Sequence, residues 1–164
     1  MATTRIGTAS NLQTGGSYDL LFVKFLGTFP EGQITFGIYD TPMKITGLQK
    51  VAQVFMKTLL TSKGSDPFYP SRGTAFSGLT IGANQSVNDA VYVQTISDAI
   101  KDAEAQVKAG LNFQNSDLSS CLDKIVLLGL DKLDDSLTLY VSLTTSNGVT
   151  ASIAVPFPEF GLTA

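Results

Sequence analysis

Few side chains in this chain could carry out chemistry. Histidine is absent and Cys121 is the single cysteine, so no Ser-His or Cys-His pair exists for nucleophilic catalysis and no Cys/His cluster exists for zinc. Because Cys121 lies beside an apolar run, we expect it to be a small core residue and not a nucleophile or a metal ligand. The composition predicts no metal site and no cofactor.

The carboxylates form no recognisable catalytic or calcium-binding pattern. The aspartates of "DKLDD", residues 131–135, lack the ligand spacing and the closing Glu of an EF-hand, so a solvated hairpin turn is expected. Glu31, Glu104 and Glu159 lie in a predicted turn, on a helix face and in the tail. An aspartate could join one of them in space, but no local pattern indicates the carboxyl pair of a glycosidase. The glycine-rich "GTAFSGLTIG" lacks the G-K-[ST] of a phosphate-binding loop.

Charge and length exclude further classes of protein. The net charge is −3 and the two arginines, Arg5 and Arg72, lie far apart, so no basic stripe exists to bind nucleic acid. No apolar run reaches the roughly 18 residues that span a bilayer, and residues 1–17 lack the apolar core of a secretory signal, so we expect synthesis and retention in a cytoplasm. Charged residues make up 15% of the chain, against about 25% in typical soluble domains, which favours a protein that works in association with others.

The elements that position these residues can be predicted in order. Residues 1–17 indicate a flexible arm, followed by a single domain over 18–164. "YDLLFVKFLG" and "QITFGIYD" predict a β-hairpin around the turn "TFPEG". A helix is expected to begin at Thr46, with a Thr46/Gln49 capping box, and to end at Gly64.

The second half of the chain predicts a helix and then a sheet. The helix runs from about residue 88 to 108, with Gly110 as its stop. "CLDKIVLLGL", "SLTLYVSLTT" and "VTASIAVPF" predict a three-stranded antiparallel meander whose second turn is Asn147-Gly148. The fold class is therefore α+β: an N-terminal β-hairpin, two amphipathic helices joined by a Pro/Gly-rich loop, and a C-terminal three-stranded meander.

The stretch "KTLLTSKGSDPFYPSRGT", residues 57–74, combines prolines, glycines, aromatics and charges. We expect Phe68 to fold back over the helices, and Tyr69 and Arg72 to reach a partner, because aromatics and Arg are enriched at interface centres. For Phe157 and Phe160 in the tail, two interpretations stay open: the side chains pack onto the domain itself, or they bind a partner.

The sequence "LQKVAQVFMKTLLTSKGSDPFYPSRGT" resembles the sheath-initiator subunits of contractile-tail baseplate wedges, a family of myophages, contractile bacteriocins and type VI secretion machines. The resemblance covers about residues 45–157. The helix ends in L-L-T-x-x-G-x-x-P-x-x-P-x-x-G, and the matching positions are Leu60, Thr61, Gly64, Pro67, Pro70 and Gly73. Family members end the second helix with a carboxylate-Pro-Arg triplet that engages neighbouring wedge proteins. Here Glu104 is followed by Ala105 and Gln106, so Gln106 can supply only neutral hydrogen bonds.

The resemblance implies a structural, non-enzymatic virion protein of the tail baseplate, made in the host cytoplasm. Its implied partners are other wedge proteins, sheath subunits and tube or hub proteins, with no nucleic acid, membrane or small-molecule substrate. Such sheaths interlock by strand addition, so residues 137–155 are expected to accept sheath strands. The partner-binding residues are predicted to be Tyr69, Arg72, Glu104, Gln106, Leu139, Val141, Ile153 and Val155.

Two alternatives stay open from the sequence. One is a tail peptidoglycan hydrolase, because some members of this family carry a lysozyme-like label. The other is an unrelated small protein-binding module.

Overall fold

The computed structural model describes residues 19–20, 23–26, 32–36, 44–76, 89–113, 117–133 and 136–158. The predicted arm of residues 1–17 lies outside the described residues, as do Glu31, Glu159 and Phe160. Within these ranges the elements are β1 (Asp19–Leu20), β2 (Val23–Leu26), β3 (Gly32–Phe36), β4 (Lys44–Ile45), α1 (Gly47–Leu60), α2 (Asp89–Val107), β5 (Leu122–Leu133), β6 (Ser136–Thr145) and β7 (Thr150–Pro158). The fold is α+β, as predicted from the sequence.

Helix α1 buries the stripe that its periodicity predicts and has its N-cap at Thr46 as predicted, but the hydrogen bonds at its start and the position of its end differ from the prediction. The capping box is wrong: Thr46 makes no side-chain cap hydrogen bond, and the Gly47 N–H donates instead to Ser120 Oγ at 3.1 Å. The predicted stop at Gly64 is also wrong, because the helix ends at Leu60. The Thr61 N–H and hydroxyl both donate to the Lys57 carbonyl, at 3.1 and 2.7 Å, and these bonds close the last turn.

Helix α2 also buries its predicted stripe, formed by Tyr92, Ile96, Ile100, Ala103 and Val107. Its predicted bounds, about residues 88 to 108, are confirmed to within one residue, but Gly110 is not the stop, since the chain continues through a π-helical turn, Lys108–Asn112. Gly110 does not adopt the left-handed conformation that ends helices. The extra residue of the π-turn brings Leu111 into the core, where it is 5% exposed.

The sheet contains the predicted hairpin and the predicted meander in one layer. Its strand order is β2-β3-β7-β6-β5. Strands β5, β6 and β7 pair antiparallel in chain order, and so do β2 and β3. The hairpin joins the meander through a short parallel contact, in which Gly32 is opposite Ile153 and Gln33 is opposite Ala154. The paired segments β1 and β4 form a separate two-stranded sheet.

The core lies between the helices and one face of the sheet. The buried side chains of β6 and β7 alternate along each strand and join those of α1 and α2 in one cluster. Cys121 is 4% exposed in this interior, which confirms its prediction as a core residue. Asn147-Gly148 forms the predicted tight connection from β6 to β7, with Gly148 at φ +85° and its N–H donating to the Thr145 carbonyl at 2.8 Å.

Candidate functional site

Residues 61–74, called here the proline loop, leave α1 and return to it as a closed loop. Their ends pair through two backbone hydrogen bonds: the Thr74 N–H donates to the Thr61 carbonyl at 2.8 Å, and the Lys63 N–H donates to the Thr74 carbonyl at 3.1 Å. The buried Thr74 hydroxyl donates to the Leu59 carbonyl at 2.7 Å. These bonds fix the base of the loop to the end of α1.

Gly73 allows this closure because no other residue fits its position. Its φ is +92°, and a Cβ there would lie 2.3 Å from the Thr61 carbonyl oxygen. Gly64 has φ +84°, but a Cβ there would meet nothing within 4 Å. The two glycines of the motif therefore have different roles. Gly73 lets the backbone pass close to the Thr61 carbonyl, whereas Gly64 only allows the chain to reverse direction.

Gln106 attaches the proline loop to α2. Its Nε2 donates to the Gly73 carbonyl, and its Oε1 accepts from the Gly73 N–H, both at 2.8 Å. Glu104, the other helix residue predicted to bind a partner, forms an ion pair with Lys108 at 2.7 Å. The structure thus gives both residues contacts within the chain, and the loop-pinning role of Gln106 was not foreseen from the sequence.

The tip of the loop is organised by Asp66. One oxygen of its carboxylate accepts from the Phe68 N–H at 3.0 Å and from the Tyr69 N–H at 3.3 Å. The other oxygen lies 3.8 Å from Arg72 Nη1. The Arg72 N–H donates to the Tyr69 carbonyl at 2.9 Å, which closes a turn across the tip. The tip therefore holds its shape with its own hydrogen bonds.

The aromatic side chains at the tip point into solvent. Phe68 is 86% exposed and Tyr69 is 66% exposed. The prediction that Phe68 covers the helices is wrong. The turn around Asp66 directs residue 68 outward. The phenylalanine that packs into the core next to the loop base is Phe76, which is 0% exposed. Tyr69 and Arg72 are both exposed, and their binding to a partner stays a prediction.

An open groove of about 740 Å³ lies beside the proline loop. Tyr69 and Arg72 line it from the loop, and Gln106, Val107 and Leu111 line it from the end of α2 and the π-turn. None of its described lining residues is a carboxylate or a thiol, so it offers neither an acid–base pair nor a sulfur nucleophile.

The other predicted partner-binding surface is the edge of the sheet, and the strand at that edge is not the one predicted. Leu139, Val141, Ile153 and Val155 are between 0% and 2% exposed, in the core between sheet and helices. Strand β6 pairs with β5 on one side and β7 on the other, and β7 also pairs with β3. Residues 137–155 therefore do not form the edge of the described sheet. On the meander side, the edge is β5.

Strand β5 has an irregular register and an exposed apolar surface. Its pairing with β6 shifts between Leu122 and Lys124 and again between Leu127 and Gly129. Val126 and Leu128 are 43% and 57% exposed. At its start, Asn112 Nδ2 donates to the Leu122 carbonyl at 2.9 Å, and Asn112 Oδ1 accepts from the Leu122 N–H at 3.0 Å. Sequence reasoning missed both this contact and the edge position of the strand.

Asp117 organises the short turn that supports the start of α1. Its carboxylate accepts from the Ser119 hydroxyl at 2.7 Å and from the Ser119 N–H at 2.9 Å. These two hydrogen bonds, with smaller contributions from Ser120 and from the charge of Lys50, lower the pKa of Asp117 below its ordinary value of 3.8 and outweigh the opposing effect of burial. Ser120 in turn accepts the Gly47 N–H, so this turn connects to the helix start.

The described ranges contain no group of three or more His, Cys, Asp or Glu side chains that could hold a metal ion. Within the same ranges, no helix has the length and apolar character needed to cross a membrane. No protein-family model, curated protein or solved structure matches this chain.

Proposed function

We propose that this chain is a structural subunit of a contractile phage tail baseplate wedge and that it starts assembly of the sheath. In this role it binds other wedge proteins and sheath subunits, together with tube or hub proteins, and it catalyses no reaction. Its place is the virion, after synthesis in the host cytoplasm. The proposal starts from the resemblance of residues 48–74 to sheath initiators, which extends over about residues 45–157.

The proline loop is the observation that supports the proposal best. Its base is closed by backbone hydrogen bonds, Gln106 ties it to α2, and Asp66 fixes its tip. The tip nevertheless leaves Phe68 86% exposed and Tyr69 66% exposed. A preformed loop loses little conformational entropy on binding, and exposed aromatic side chains are typical interface anchors. This combination suits a rigid docking element in an assembly.

The experiment compares phage particles that carry altered copies of this subunit. A phage encoding this chain is complemented with the wild type, with a Phe68→Ser, Tyr69→Ser double variant, or with Val93→Ser as control. Val93 is 44% exposed on α2 and lies outside the proline loop. We expect the double variant to be folded but absent from purified tails, whose sheaths fail to form in electron micrographs, whereas the control assembles normally.

Two results would contradict the proposal. One is a purified wild-type tail that lacks this polypeptide by mass spectrometry. The other is clearing of a peptidoglycan suspension by the purified protein, which the hydrolase alternative requires and which we expect to be absent. An unrelated binding module would also be indicated if no sheath, tube or wedge genes neighbour its gene.

A further inference from the structure

The turn between β6 and β7 contains a pair of residues that can react with each other. The chain has six asparagines, and Asn147 is the one that a glycine follows. Because glycine has no Cβ, the nitrogen of Gly148 can approach the side-chain carbonyl carbon of Asn147 with little steric hindrance. Attack at that carbon deamidates the asparagine in water, without an enzyme or a cofactor. The pair is therefore a candidate modification site as well as a turn.

The reaction needs only the groups of this turn and water. The Gly148 nitrogen loses its proton to solvent and forms a bond to Cγ of Asn147. The bond from Cγ to Nδ2 breaks, and the leaving nitrogen takes up a proton from solvent and departs as ammonia, which leaves a succinimide ring. One water molecule then opens the ring at either of its two carbonyls and gives aspartate or isoaspartate at position 147. No electrons are transferred, so the reaction requires no oxidant or reductant.

The folded hairpin engages both reacting groups in other hydrogen bonds. The Gly148 N–H donates to the Thr145 carbonyl at 2.8 Å, which directs its proton away from the ring-forming reaction. The Asn147 Oδ1 accepts from the Thr145 hydroxyl at 2.6 Å and from the Val149 N–H at 3.4 Å, and these bonds fix the side-chain amide. Thr145 itself is 1% exposed, so its hydroxyl is held in place by the surrounding core. Ring closure therefore requires the turn to open first.

Closure of this turn accompanies the pairing of β7. The Thr145 N–H donates to the Val149 carbonyl at 2.9 Å, next to the first residue pair of the β6–β7 ladder. While β7 is unpaired, the hydrogen bonds that restrain the Asn-Gly pair are absent and the pair can react. The time that a chain spends without β7 in the sheet thus determines how much of it is modified.

The two products should affect the turn differently. Isoaspartate continues the backbone through its side-chain carbonyl, which adds an atom to the main chain between Thr145 and Gly148. The hydrogen bond that these two residues make across the turn then loses its geometry. Aspartate leaves the backbone unchanged and keeps an oxygen that can accept from the Thr145 hydroxyl. Isoaspartate is therefore the product that disturbs the pairing of β7.

We propose that Asn147 is a site of spontaneous deamidation, that pairing of β7 suppresses the reaction, and that the isoaspartyl product keeps β7 from pairing again. Chains that insert β7 promptly retain asparagine. Chains that do so slowly are modified and leave the folded population irreversibly. The modification is independent of the proposed role in a baseplate.

The test incubates the full-length protein in mildly alkaline buffer, with and without guanidinium chloride, and follows all six asparagines by peptide mass spectrometry. An isoaspartate-specific methyltransferase with labelled S-adenosylmethionine quantifies isoaspartate separately. We expect Asn147 to deamidate at least about tenfold faster in denaturant, because opening of the turn limits the native reaction. In denaturant it should also react faster than the other asparagines. Equal rates in the two buffers would overturn the protection, and a faster site elsewhere would overturn the assignment.

Thr145→Val removes the hydroxyl and keeps the shape of the buried side chain. In native buffer it should accelerate deamidation by about tenfold, because Asn147 loses a hydrogen bond that restrains it. Thr144→Val is the matched control, since the Thr144 hydroxyl pairs with that of Thr150 at 3.2 Å, and it should react at the wild-type rate. Equal native rates in the two variants would overturn the role of Thr145.

Thermal melting checks that both variants are folded. If Thr145→Val is not, the wild type is compared across guanidinium concentrations below its unfolding transition. There the deamidation of Asn147 should rise in parallel with hydrogen exchange of the Gly148 N–H. Deamidation that stays constant while this exchange accelerates would overturn the protection by the turn.

The last comparison tests the effect on β7. Wild-type protein is aged in denaturant until isoaspartate is abundant and is then refolded, and Asn147→Asp is aged and refolded in the same way. The isoaspartyl fraction should lack cooperative melting and slow hydrogen exchange in β7. Asn147→Asp, which represents the other product, should regain both. Isoaspartyl protein that refolds and melts as the unmodified wild type does would overturn the proposed effect on β7.

Discussion

Gly73 and Gly64 both have positive φ, yet their substitution should have different costs. Gly73→Ala would place a Cβ against the Thr61 carbonyl as well as straining the backbone, whereas Gly64→Ala adds only backbone strain. We expect Gly73→Ala to lower the free energy of unfolding by about 3 kcal/mol or more and Gly64→Ala by about 1–2 kcal/mol. Urea denaturation measures both values. Equal losses would show that the loop base relaxes around residue 73.

Asp117 makes stability depend on pH in a defined direction. Its pKa in the folded protein lies below 3.8, so the folded state binds fewer protons near that pH than the unfolded state does. The contribution of Asp117 is therefore complete above about pH 4 and is lost as the pH falls through the lowered folded-state pKa.

Denaturation midpoints measured from neutral pH down to about pH 2.5 test this expectation. The midpoint of the wild type should fall more steeply at the acidic end than that of Asp117→Asn, which keeps an oxygen acceptor but cannot ionise. Parallel curves for the two proteins would mean that other carboxylates determine the acid sensitivity.

At the scale of elements, the attachment of the proline loop to α2 depends on one amide. Gln106→Ala leaves the Gly73 N–H and carbonyl without their partner, and we expect a loss of about 2 kcal/mol in unfolding free energy. Hydrogen exchange should accelerate in residues 61–74 while the middle of α2 stays protected.

Gln94→Ala is the control for that change on the same helix. Gln94 contacts Asp98 on the exposed face at 2.9 Å, so its removal should alter stability by no more than about 0.5 kcal/mol. If both variants lose the same stability, the cause is the helix itself and not the attachment of the loop.

The elements were predictable where the signal is local. The apolar stripes of α1 and α2, the β2–β3 hairpin and the Asn147-Gly148 connection follow from spacing within short windows. The positions at which α1 starts and α2 starts and ends were also predicted, but the contacts at these ends were not. Ser120 binds the start of α1 from 73 positions away along the chain, and a π-turn after α2 continues the chain past Gly110.

At the scale of the whole molecule, long-range contacts also explain why the wrong strands were predicted at the edge of the sheet. The sequence shows which segments are strands, but whether a strand lies inside a sheet depends on the order of all its strands. The parallel contact between β3 and β7 involves only two residue pairs and has no local signature. Consequently residues 137–155 were predicted to form the accepting edge, although β5 is the strand at the edge of the described sheet on the meander side.

Strand β7 should be indispensable to the folded state because it joins the two parts of the sheet. We expect a chain ending at residue 149 to lose cooperative thermal unfolding, since β6 then loses a partner and Ala151, Ile153 and Val155 leave the core. A chain ending at residue 158 keeps β7 whole and should unfold cooperatively. A sharp melting transition in the shorter chain would contradict this expectation.

The central position of β7 also affects synthesis on the ribosome. Strand β3 is translated more than a hundred residues before its parallel partner β7. The β2–β3 hairpin therefore cannot join the rest of the sheet until β7 has left the ribosome. Until then the nascent polypeptide exposes the apolar side of β6 and the edge of β3 that does not pair with β2. We expect such a chain to depend on chaperones during translation, and its slowest folding event to be the insertion of its final strand between two that already exist.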